Sequence, residues 1–115
     1  MKTMLLLISI LVLSSFKLVE KHTPIYYFCT SRTLSTNKDG KIIVLLTKIK
    51  KTEQGEDYID MQTSKWSHFV NKKNVLKCTS DLNLYKDSLQ AKDVFNKINR
   101  EFSDTSKYQT TFVEL

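Results

Sequence analysis

The sequence predicts an α+β fold, a two-layer sandwich in which two helices cover one face of a small, mostly antiparallel, four-stranded sheet. The spacing of apolar residues switches along the chain between the period of a strand and that of a helix, in the order β-β-α-β-α-β. The 115 residues, less a separate N-terminal segment, amount to one domain and not two. No internal repeat or low-complexity linker divides residues 24–115, which are read as that single domain.

The first strand, Ile25 to Arg32, is rich in β-branched and aromatic residues, with Ile25, Tyr27, Cys29 and Ser31 on one face and Tyr26, Phe28, Thr30 and Arg32 on the other. After the turn signal Asn37-Lys38-Asp39-Gly40, the run Ile42 to Leu46, continuing to Ile49, is apolar on both faces, as in a strand central to its sheet or buried on both sides. The two make a hairpin. Lys50 to Asp57 is polar with one glycine and reads as a loop. From about Ile59 to Lys72, Trp66, Phe69 and Val70 recur at helical spacing, and Asn71 and Asn74 punctuate the end. Val75 to Thr79 is then a short strand carrying Cys78. The clearest helix runs from about Ser88 to Ser103: Asp87 with Gln90 resembles a capping box, and Ala91, Val94, Phe95, Ile98 and Phe102 share one stripe. Tyr108 to Glu114 alternates polar and apolar residues as a last strand.

Ahead of the domain stands one lysine, Lys2, then an apolar run from Met4 to Leu13 broken only by Ser9, then Ser14 and Ser15. That is the layout of a secretory signal peptide over residues 1–15, followed by a polar lead-in over 16–23. The run falls short of the roughly 20 apolar residues a membrane span needs. Extending it to Val19 takes in Lys17, so the alternatives are an uncleaved anchor, which is the one route to a membrane, or a buried helix. The expected localisation is therefore periplasmic or extracellular.

In an oxidising compartment the two cysteines, Cys29 and Cys78, read first as a disulfide, with two buried thiols as the alternative. A loop of that length would contribute roughly 4 kcal/mol in the chain-entropy model.

Eighteen basic residues stand against 12 acidic ones. Sixteen of the basic residues are lysines and only Arg32 and Arg100 are arginines, so forked recognition of phosphates or bases has little to work with. The balance favours solubility and an acidic or anionic extracytoplasmic partner over nucleic acid.

Catalytic signals are weak. His22 lies in the polar lead-in, and His68 stands between Trp66 and Phe69 without a recognisable partner, so a general-base or thiol role for it is a minor reading. Two histidines and two distant cysteines do not supply the local ligand spacing of zinc. The acidic group Glu53, Glu56, Asp57 and Asp60 has neither the spacing of a glycosidase pair nor a calcium-loop pattern, and reads as a solvated loop. With only Gly40 and Gly55, the chain has no nucleophile elbow and no phosphate-cradling loop. No cofactor is implied. Tyr26, Tyr27 and Phe28 cannot all face one side of a strand, so one face would be an exposed aromatic binding surface unless a helix covers it.

In element order alone, Val75 to Leu115 resembles half of the sporulation-related repeat domain, a fold that binds peptidoglycan; the N-terminal hairpin departs from that order. The expected function is a small exported, non-catalytic module that binds a protein or an anionic envelope polymer through its sheet. The alternatives are an assembly subunit pairing through a sheet edge and a small hydrolase using His68 or a free cysteine.

Overall fold

The computed structural model describes residues 23–115; the signal segment, most of the lead-in and His22 lie outside the described residues. The described chain forms β1 (Ile25–Arg32), β2 (Ile42–Leu46), β3 (Lys50–Thr52), α1 (Glu56–Lys73), β4 (Asp81–Tyr85), α2 (Ser88–Glu101) and β5 (Tyr108–Phe112).

The hairpin forms as its residues dictate. Asn37 Oδ1 accepts from the amides of Asp39 and Lys41, both at 3.0 Å, and Gly40 takes the positive φ of 75° that closes the turn. Beyond it, Leu46 opposes Thr30 while Lys50 opposes Tyr27, so one extra residue is accommodated opposite β1. This is a bulge. There the Thr47 amide donates to Cys29 O at 3.0 Å, and the Cys29 amide finds the Thr47 hydroxyl at 2.8 Å. β2 and β3 thus lie end to end along one side of β1.

β4 lies along the other side of β1, antiparallel to it, and β5 adds to the far side of β2 in parallel. Across the sheet the order is β4, β1, β2 with β3, then β5. The expected mixture of α and β holds and three of the four strand pairings are antiparallel, but the parallel β2–β5 pairing makes the sheet mixed, and there is a fifth short strand.

The expected two layers are also corrected. Cys29 and Leu45 pack beneath Trp66 and Val70 of α1, with Leu82 and Cys78 beside them. Val44 and Leu46, neighbours of Leu45 and therefore on the opposite face, pack with Ile98 of α2 and Phe102 beyond its end. One helix covers each face. The reason lies in β2: Val44, Leu45 and Leu46 are all buried, and a strand apolar on both faces needs cover on both. The crossovers β3-α1-β4 and β4-α2-β5 traverse the sheet in opposite directions over opposite faces, which gives both the same hand.

Trp66 is fully buried and its indole N–H donates to Thr30 O at 2.9 Å, fixing α1 over the sheet. Asp87 caps α2 by accepting from the Leu89 amide at 3.0 Å. Phe28 meets Phe95 of α2 edge-on, with centroids 5.3 Å apart, and stacks on Tyr85 of β4.

The expected disulfide is absent. Cys78 opposes Thr33 in an isolated bridge and Cys29 opposes Leu82, four positions along the same ladder, or roughly 13 Å. Bridging requires Cα atoms within about 7 Å, and both cysteines are free thiols.

Candidate binding edges

Among the described residues β3, β4 and β5 each pair with a strand on one side only; β3 is three residues long and carries two lysines, which leaves the rims of β4 and β5 as the candidate edges. Two backbone hydrogen bonds fix how β4 faces outward. The Leu34 amide donates to Lys77 O and the Thr79 amide to Arg32 O, both at 2.9 Å. Alternation along the antiparallel ladder carries this bonded phase to Asp81, Asn83 and Tyr85, so the N–H and C=O groups of Leu82 and Leu84 point away from β1.

On β5 the Ile42 amide donates to Lys107 O at 2.9 Å and the Val113 amide to Leu46 O at 2.8 Å. The inward residues are therefore Gln109 and Thr111, and the outward ones are Tyr108, Thr110 and Phe112. The Tyr108 amide is taken by Asp104 O at 2.9 Å, which leaves the backbone groups of Thr110 and Phe112 without a partner among the described residues.

Both strands lack the commonest edge protection, and the one charged residue in them is Asp81 at the start of β4. Asp-Leu-Asn-Leu-Tyr and Tyr-Gln-Thr-Thr-Phe contain no proline and no lysine. Leu84 on β4 and Phe112 on β5 are about half exposed, at 46% and 50%. Beside Leu84 opens a groove of about 330 Å³ lined by Ile25, Ile59, Leu84, Glu56 and Asp60. At the turn end of the sheet a larger groove of about 610 Å³ includes Asn37, Lys38, Lys73, Asn74 and Gln109.

The residues singled out from the sequence fall elsewhere. Tyr27 and Phe28 are buried, at 3% and 0% exposure, because α1 covers one face of β1 and α2 the other; only Tyr26 remains part-exposed, and the aromatic surface is not presented. Tyr27 instead meets Tyr58 of α1, hydroxyl to hydroxyl at 3.4 Å, and burial with this contact raises its pKa. Burial pushes the Cys29 thiol up to about 11, against the lowering effect of Thr47 and Lys50, so it carries its proton at neutral pH. His68 is exposed on α1, while the Cys78 sulfur lies 4.0 Å from Val70 O and 3.9 Å from Asn71 Oδ1. Glu56, Asp57 and Asp60 belong to the first turns of α1 and not to a loop. The available signal was acidic residues at a helix start, where the helix dipole favours them.

Among the described residues no helix is long and apolar enough to cross a membrane. Comparison of the chain with family models, curated proteins and solved structures finds no match.

Proposed function

We propose that this is a non-catalytic, exported binding module that captures an extended segment of a partner protein along an open rim of its sheet. The supporting observation is the outward backbone of Leu82, Leu84, Thr110 and Phe112 on two strands with no proline or lysine. Strand addition takes its affinity from main-chain hydrogen bonds and its selectivity from the side chains around the rim. The test is a crosslinking pull-down from the envelope with wild-type protein, Leu84→Pro, Thr110→Pro and the double variant. Proline at either position removes an outward donor and leaves the inward ladder intact. Capture falls when the rim in use is altered and vanishes in the double variant, whose fold is checked by circular dichroism. Undiminished capture by a folded double variant contradicts the reading.

A second reading, an anionic envelope polymer, is favoured by the larger groove. Lys38 and Lys73 line it with the amides of Asn37, Asn74 and Gln109 against the single carboxylate of Asp39, and Asn74 Nδ2 is buried without a partner among the described residues. Retention on immobilised anionic glycan that disappears in Lys38→Glu/Lys73→Glu supports it, and retention unchanged by that pair of substitutions rejects it.

A further inference from the structure

We infer that the β4 rim selects a strand bearing lysine or arginine, an inference that rests on the strand-capture reading above. A segment added along Leu82 and Leu84 sends alternate side chains to the α1 face. At the Leu84 end those side chains meet the groove of about 330 Å³, whose apolar lining is Ile25, Ile59 and Leu84 and whose polar lining is the two carboxylates of Glu56 and Asp60.

That lining is specific in its chemistry. Glu56 and Asp60 are four residues apart on α1 and so lie on one side of the helix. Both are exposed, and among the described residues the groove has no basic side chain. The helix dipole accounts for Glu56 in the first turn, but its effect fades before Asp60 one turn later. A purely apolar occupant would cover the carboxylates without pairing them, which is costly. A long-stemmed cation lays its methylenes on Ile59 and Leu84 and holds its head between the two carboxylates. The site thereby inverts the character of the whole chain, which is strongly basic at +6.

The test uses two fluorescein-labelled peptides, Thr-Lys-Val-Lys-Val-Lys-Thr and Thr-Glu-Val-Glu-Val-Glu-Thr, titrated with the full chain by fluorescence anisotropy. The lysine peptide is expected to bind about tenfold more tightly or better at about 20 mM salt, and the advantage to shrink at about 300 mM. Glu56→Lys/Asp60→Lys should reverse the preference, and Leu84→Pro should weaken both peptides. Equal binding of the two peptides, no binding of the lysine peptide at about 1 mM, or a preference unmoved by the double substitution overturns the inference. Loss of envelope capture in Thr110→Pro alone, with Leu84→Pro unaffected, also overturns it, yet leaves strand capture standing on β5. Capture by the folded double proline variant removes both.

Discussion

The two rims of the sheet present the same backbone chemistry on different supports. β4 is held on both faces: by Leu82 in the α1 layer, which includes a buried thiol, Cys29, and a buried Ser31 hydroxyl without a partner among the described residues, and by Tyr85, stacked on Phe28 against α2. β5 rests on the α2 face, where Val44, Leu46, Phe102 and Tyr108 make an apolar and aromatic layer and Thr110 Oγ1 donates to Phe102 O at 2.9 Å. Around β4 stand leucines and carboxylates; around β5, threonines and aromatics. The difference teaches that hydrogen bonding alone does not distinguish the rims. Selectivity and local stability come from the layer behind each one.

The largest effect breaks the support of β4. Trp66→Ala removes the side chain that fills the α1 face and holds Thr30 O, and should cost about 3–5 kcal/mol in urea unfolding. Against a typical domain stability of roughly 5–15 kcal/mol, that leaves little of the fold. A loss below about 1 kcal/mol would mean that α1 does not depend on this packing.

A smaller effect sharpens the contrast through pH. The pKa of Cys29 is raised by burial, so its contribution is complete below the ordinary thiol value of 9.0 and is lost as pH climbs through about 11. Stability should fall by on the order of 1–2 kcal/mol across that window. The upward shift of Tyr27 acts in the same direction at still higher pH. In Cys29→Ala the loss across this window should be smaller, and an unchanged loss would assign it to other groups.

Ser31→Ala should have the smallest effect and the opposite sign. Removing an unpaired buried hydroxyl is expected to stabilise by up to about 1 kcal/mol, read as a higher urea midpoint. A loss of more than about 1 kcal/mol would show that the hydroxyl is paired after all.

Much of this architecture was legible. β1 spans the expected Ile25–Arg32, β2 the core of its expected run, and the stripe of α2 sits where its period places it, with Ala91 and Phe102 buried. β3 was illegible because Lys-Lys-Thr has no apolar alternation, and of the three only Thr52 is buried. The strand around Cys78 was misplaced. One bridge forms at Cys78, while the paired strand is Asp-Leu-Asn-Leu-Tyr, whose alternation was there to be read but whose Asp81 and Asn83 are residue types depleted in strands; Asn83 is accommodated by donating to Phe28 O and Thr30 Oγ1.

The two-layer expectation overlooked what β2 already displayed. A run apolar on both faces demands cover on both, and once one helix lies on each, Tyr27 and Phe28 are buried instead of forming a surface. The rims were beyond sequence reading for another reason. Which amides point outward depends on register, and register is set by long-range pairing such as the one-residue offset at Thr47.

The most direct measurement of the central claim is residue-resolved amide hydrogen exchange by NMR, without and with a captured partner. Leu82, Leu84, Thr110 and Phe112 should exchange rapidly in the free protein while Asn83 and Thr111, bonded inward, are protected. Partner addition should then slow the outward pair on one rim. Outward amides already protected in the free protein, or unchanged when partner binds, would contradict capture at an open edge.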